Sequence, residues 1–304
     1  MPHPNLILAQ NQNIKQHVNH RRLVTTISER RSQMGMWQTG NVETNGLTLH
    51  YARTGGDKPQ VVLAHGFSDD GLCWTPVAKL LEADYDVIMV DARGHGRSDG
   101  PEQGYGSAEH AADLAGLIEA LELKRPAVLG HSMGAATALV LAGLYPELPG
   151  AILLEDPPPW WMPPDPEADS GPRRPFGGWI VELKRKTREE LIAHQRAQSP
   201  NWSEAELGPW ADSKLRLSFN VLNRGKSLPV DWPATVKQIT CPVLLITADP
   251  DLGAIVPPES AAALEQMLPQ TQVVNIPKAD HSIRREQFER YMEVIKKFLA
   301  ETVV

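Results

Sequence analysis

The sequence is short of cysteine, of long apolar runs and of net positive charge, and each shortage narrows what the chain can be. Its two cysteines, Cys73 and Cys241, are too few for a disulfide scaffold, and neither stands in a Cys-x-x-Cys or Cys/His ligand pattern. They read as small core or loop residues in a reducing compartment. No run of about 18 apolar residues occurs, so no membrane span is expected. The apolar run at residues 6–9 is too short for a signal-peptide core, and the expected location is cytoplasmic. A formal net charge of -7 disfavours nucleic acid, which would require clustered Lys and Arg. The hydrophobic fraction of 41% and charged fraction of 22% are those of an ordinary globular protein, so disorder is not expected either.

What is present is unevenly distributed. Residues 1–35 are rich in Asn and Gln and carry Lys15, Arg21, Arg22, Arg30 and Arg31 against Glu29. They read as a dispensable or surface-docked extension, since a terminus without apolar periodicity rarely builds core; a targeting segment and a start at Met34 or Met36 are the other readings. From residue 41 apolar and polar residues alternate, with Asn45-Gly46 supplying a hairpin turn. Short apolar runs at 61–64, 87–90, 127–130 and 151–154 then alternate with helical patterns at 75–82, 108–123 and 133–144. Runs of that kind are strands buried on both faces, and the alternation predicts a mostly parallel sheet with helices on both sides.

The alternation stops at Asp156-Pro157-Pro158-Pro159 and resumes at 243–247. The interval holds six of the eight tryptophans and helical stretches near 178–198 and 204–223, so it reads as an inserted helical cap. The expected organisation is an extension at 1–35, a core at 36–156 and 236–304, and a cap at 157–235. A helix near 259–268, a strand at 272–276 and an amphipathic helix from 284 to 299 complete the core.

Gly130-His131-Ser132-Met133-Gly134 fits Gly-x-Ser-x-Gly between a predicted strand and a predicted helix. Such a turn holds the serine in a strained conformation, which requires small neighbours at 130 and 134. A serine needs a base, and the base an orienting carboxylate. His281 follows the last predicted strand, where its loop can reach Ser132. His65 and His95 read as hydrogen-bonded loop residues, His131 as pointing elsewhere, and His50, His110 and His194 as surface or cap residues. Asp251 is the favoured acid, with Asp249 as a turn residue and Asp156 or Glu155 in reserve. The oxyanion hole is expected from the N–H groups of Met133 and Phe67.

With these residues in place the sequence resembles the α/β-hydrolase superfamily from about residue 36 to its end, as a lid-bearing serine esterase or lipase-like member. His65-Gly66-Phe67 looks like its oxyanion loop and Asp91-Ala92-Arg93-Gly94-His95-Gly96-Arg97-Ser98 like its Asp-x-Arg-Gly-x-Gly-x-Ser loop. Gly130 to Gly134 looks like its nucleophile elbow, and Ser132, Asp251 and His281 occur in its order. The resemblance implies an α/β-hydrolase fold and a serine carboxylesterase that forms an acyl-enzyme and uses no cofactor or metal. Its partner would be a small-molecule ester, and its state monomer or homodimer. Lactonase, amidase and C–C bond hydrolase activities, or a receptor with little turnover, stay open. Trp160, Trp161, Phe176 and Trp179 are expected to line an apolar substrate pocket.

Overall fold

The computed structural model describes residues 37–163, 177–223 and 227–303. The chain starts with the antiparallel hairpin β1 (Gln38–Thr44) and β2 (Leu47–Arg53). Its turn has φ of 50° at Asn45 and 74° at Gly46, the left-handed pair that Asn-Gly favours. Next come β3 (Gln60–Ala64), β4 (Asp86–Val90), β5 (Ala127–His131), β6 (Ala151–Glu155), β7 (Val243–Thr247) and β8 (Thr271–Asn275). The sheet order is β1-β2-β4-β3-β5-β6-β7-β8, antiparallel at β1, β2 and β4 and parallel from β4 to β8. Every residue of β4, β5, β6 and β7 is buried, as their unbroken apolar runs require of strands covered on both faces.

Helices α1 (Thr75–Leu81), α2 (Ser107–Ala120) and α3 (Met133–Leu144) make the first crossovers, and α8 (Pro258–Met267) lies between β7 and β8. The predicted last helix is two helices, α9 (Ile283–Glu286) and α10 (Phe288–Thr302). In α10 Tyr291, Ile295, Phe298 and Leu299 all turn inward, each side chain contributing about 1.5–3 kcal/mol by burial.

Between β6 and β7 lie α4 (Gly178–Leu183), α5 (Arg188–Gln198), α6 (Glu204–Arg216) and α7 (Trp232–Val236). The helical stretch expected at 178–198 is broken, because Thr187 starts a fresh helix. Its hydroxyl accepts from Glu190 N–H, and the Glu190 carboxylate accepts from Thr187 N–H. Leu191, Trp202, Leu207 and Trp210 pack into a small core of these helices' own, with the two indoles edge to face at 6.5 Å. Among the described residues no helix is long and apolar enough to cross a membrane.

Candidate active site

The site grows from the C-terminal ends of β5 and β6. At the end of β5 the chain turns directly into α3, and the residue at the turn, Ser132, has φ 51° and ψ -113°. The flanking glycines make this possible: a Cβ at Gly130 would run into the backbone of Gly134, and a Cβ at Gly134 into the carbonyl of Ala64. Met133 is the first residue of α3, so its N–H has no partner within the helix. The Ser132 N–H donates to the carbonyl of Glu155 at 2.9 Å, which fixes the serine beside the end of β6.

The next residue of that strand end, Asp156, is fully buried and has φ 44°, a second positive φ one strand along from Ser132. Its carboxylate accepts from the N–H groups of Ile255 (2.9 Å) and Val256 (3.0 Å) and from Nδ1 of His281 at 2.6 Å. The imidazole Nδ1 therefore carries its proton toward Asp156 and leaves Nε2 as a base.

Here the expectation for Asp251 is corrected. Asp251 sits exposed in a 3₁₀ turn, Pro250–Leu252, and the carboxylate on His281 is that of Asp156. The loop after β7 does travel outward, but it returns to give Asp156 the N–H groups of Ile255 and Val256. Asp249 opens that turn, but its carboxylate caps no N–H there; it accepts from Lys278 N–H at 2.8 Å, at the base of the His281 loop. Asp280 accepts from Ser282 N–H at 2.6 Å.

His131 does not merely point elsewhere. Its Nε2–H donates to the backbone carbonyl of His281 at 2.9 Å, and the two rings lie 4.8 Å apart. Burial, with Arg284 next, holds its imidazole well below the ordinary value, so the ring stays neutral beside His281. His50 and His110 are also buried rather than superficial: His50 Nδ1 donates to Asp91 at 2.9 Å, and His110 lines the cavity above Ser132.

The loop after β3 is held from below. His65 Nε2 accepts from Ala92 N–H at 3.0 Å, so its Nδ1 carries the proton and donates to the Gly66 carbonyl at 2.8 Å. Nε2 of His95 lies 2.6 Å from the Phe67 carbonyl. Since C=O and N–H point oppositely across a trans peptide, fixing the Gly66 carbonyl turns the Phe67 N–H the other way. The Asp91 loop is a turn device: Asp91 accepts from Arg97 N–H and Gly71 N–H, while Arg93 grips Asp113 of α2 with two hydrogen bonds of 2.6 Å.

Above these groups opens a cavity of about 1190 Å³ lined by Ser132, Met133, Phe67, His95, Tyr105 and His110 on the sheet side. Trp160, Trp179, Trp232 and Leu228 line the other side. Trp160 and Trp232 pack at 5.1 Å between ring centroids. The expectation for Trp161 is corrected: it is buried in the main core and its indole N–H donates to the Ser260 carbonyl at 2.9 Å. Phe176 lies outside the described residues. Among the described residues no group of three His, Cys, Asp or Glu is arranged to hold a metal ion.

Beneath the site runs a buried ionic network that the sequence reading missed. Asp69 takes Lys214 of α6 at 2.8 Å, Arg284 at 3.2 Å and Arg285 at 3.0 Å. Arg284, fully buried over the Trp74 ring, also pairs with Glu155, and Arg285 pairs with Glu206 of α6. Burial alone would raise the Asp69 carboxyl, but Arg285, Lys214 and Arg284 outweigh it and hold it well below the ordinary range.

Comparison with known proteins bears on the family and the fold. The N-formylmaleamate deformylase of Pseudomonas putida is 28% identical over 278 residues, covering 87% of this chain and 97% of that protein. The 2-(acetamidomethylene)succinate hydrolase of Mesorhizobium japonicum is 28% identical over 266 residues, 85% of this chain and 94% of that one. In fold, the solved N-formylmaleamic acid deformylase of Pseudomonas putida S16 superposes with a TM-score of 0.70 at 24% identity, over 85% of this chain and all of that one. The model of the alpha/beta hydrolase family matches residues 61–294, which take in the loop after β3, Ser132, Asp156 and His281. The chain belongs to the alpha/beta hydrolase family.

Proposed function

We propose that this hydrolase cleaves carboxylic esters of small to medium, largely apolar substrates through an acyl-enzyme on Ser132. The observation that carries the proposal is the pairing of His281 Nδ1 with the buried Asp156 carboxylate at 2.6 Å, on the strand end next to the strained Ser132. In the first half-reaction the Ser132 hydroxyl attacks the substrate carbonyl and passes its proton to Nε2 of His281. The imidazolium that forms is stabilised by Asp156. Negative charge on the carbonyl oxygen is met by the N–H groups of Met133 and Phe67, a pair in which each donor is worth about 10²–10³ in rate. His281 then protonates the leaving alcohol, and water repeats the sequence on the acyl-enzyme.

The helices of residues 157–235 act as a cap in this reading, and Trp160, Trp179 and Trp232 supply its apolar wall. A second reading is hydrolysis of an acyl–nitrogen bond. It is favoured by the names of the two relatives, a deformylase and an acetamidomethylene hydrolase, and it uses the same groups with His281 protonating nitrogen instead of oxygen. A panel of p-nitrophenyl esters, lactones, N-formyl and N-acetyl amides, run with wild type and Ser132→Ala, separates the two. Ester turnover lost in the variant supports the first reading. Turnover confined to amides favours the second, and turnover of any kind surviving in Ser132→Ala removes both.

A further inference from the structure

Lys214 is only 2% exposed and belongs to a buried network in which three cations, Lys214, Arg284 and Arg285, face three carboxylates, Asp69, Glu155 and Glu206. Besides pairing with Asp69 at 2.8 Å, its ammonium donates to the backbone carbonyl of Ser68 at 2.8 Å. Arg216, the last residue of α6, closes on Asp70 with two hydrogen bonds, of 2.8 and 2.5 Å. The last turn of α6 therefore grips residues 68, 69 and 70 in succession, directly after Phe67.

With His65 on the Gly66 carbonyl and His95 Nε2 beside that of Phe67, three successive carbonyls of this loop are each contacted by a buried side chain. Two of those holds come from the core strands' own loops. The third comes from a helix inserted between β6 and β7, whose neighbours carry the cavity's aromatic wall.

We propose that Lys214 is a positioning residue for the oxyanion loop, so that the seating of the inserted helices on the core sets the aim of the Phe67 N–H and with it the reactivity of Ser132. This rests on the acyl-transfer reading above. Lys214 touches no substrate; it acts through the peptide of Ser68. A misplacement of about 1 Å at a reacting group costs on the order of 10²-fold in rate, and loss of one of three holds should cost about tenfold.

The test is Lys214→Met, which keeps the stem and leaves Asp69 its two arginines. An oxygen ester and its thionoester are compared, since sulfur is a poor hydrogen-bond acceptor and the rate ratio reports the oxyanion donors. The expected result is kcat down about tenfold on the oxygen ester with KM within about twofold, and an oxygen-to-sulfur ratio several-fold smaller than in wild type. Arg188→Gln, which removes an exposed ion pair between α5 and α6, should leave kcat and the ratio unchanged. Should Lys214→Met fail to fold, Arg216→Gln, at a partly exposed position, decides with a smaller change of the same sign. An unchanged ratio in the folded variant, even with a lowered melting temperature, overturns the proposal.

The rate at which a fluorophosphonate labels Ser132 reads the same loop without any ester. If wild type labels but turns over no ester, the ester reading fails, and a labelling rate reduced in Lys214→Met still supports the positioning role. If wild type does not label, both fail.

Discussion

Replacing Asp156 with asparagine exchanges one oxygen for an amino group, and the surroundings allow no comfortable answer. The Oδ2 atom receives two protons, from His281 Nδ1 and Ile255 N–H, and Oδ1 receives one from Val256 N–H. With the amide oxygen toward His281, the new NH₂ faces the Val256 N–H, donor against donor, at a cost of about 1–3 kcal/mol in stability. With the NH₂ toward His281, it faces the Ile255 N–H as well, and the ring must accept at Nδ1 and carry its proton on Nε2, where it no longer serves as a base. In the second arrangement a loss of about 10⁴ in kcat is expected, on the order of 5 kcal/mol of barrier. Steady-state kinetics on a p-nitrophenyl ester, with a urea titration alongside, distinguishes the two costs. Asp251→Asn, at an exposed turn, should stay within about twofold of wild type in both assays. An Asp156→Asn variant that keeps both its activity and its urea midpoint, or an Asp251→Asn that loses more than nine-tenths of its activity, would refute the assignment.

Three further outcomes follow from the same structure. Trp160→Ala removes one half of an indole pair in the cavity wall and should raise KM for apolar acyl esters about five- to tenfold at nearly constant kcat, a loss of about 1 kcal/mol of binding; an unchanged KM across acyl lengths would place the substrate elsewhere. Gly134→Ala drives a Cβ into the backbone of Ala64 and His65 and should lower stability by about 3 kcal/mol, read as a fall in the urea midpoint; a midpoint equal to wild type would show that the elbow relaxes freely. Stability should also fall between pH 7.5 and 5.5. Burial, aided by His65, pushes His95 down to about 4 against the pull of the Phe67 and Arg93 carbonyls, and His131 lies well below its ordinary value. Both rings are neutral when folded and take up a proton on unfolding below about pH 6.5, so the unfolded state binds more protons and stability rises with pH. Each contributes about 1 kcal/mol that is lost by pH 5.5. Glu155 and Asp70, raised by burial, act with the opposite sign. A urea midpoint flat across this interval would mean that the histidines are charged in the folded state.

The parts of the molecule legible in the sequence are those fixed by short-range patterns. The both-faces-buried strands, the Asn-Gly hairpin and the Gly-x-Ser-x-Gly turn each depend on a few adjacent residues, and the sheet and Ser132 came out where those patterns put them. The carboxylate was harder, because Asp156 and Asp251 both follow strand ends on the same edge of the sheet. Which of them meets His281 depends on the loop at 253–257 folding back to give its N–H groups to Asp156, a long-range fact with no local signature. One clue was available: Asp156 follows a wholly apolar strand through Glu155, and two consecutive acids there have no solvent to face.

The ionic network was invisible for the same reason, since Lys214 and Arg284 are paired across the fold. Helix α6 did carry a signal. Leu207, Trp210 and Ala211 mark its inward stripe, and Lys214 continues that spacing by one turn, which puts a charge on the buried side. Trp161 and Trp160 differ only in which way an irregular segment turns. Composition could bring both tryptophans near the cavity but could not decide which one faces it.

The central claim is that Ser132 is acylated during turnover. Rapid mixing of enzyme with excess p-nitrophenyl ester, acid quenching and mass analysis of the peptide bearing residues 126–144 tests it most directly. The expected result is a burst of p-nitrophenol close to one per active site and an acyl mass increment on Ser132, with neither seen in Ser132→Ala. Turnover with no burst and an increment on any other residue, or turnover undiminished in Ser132→Ala, would contradict it.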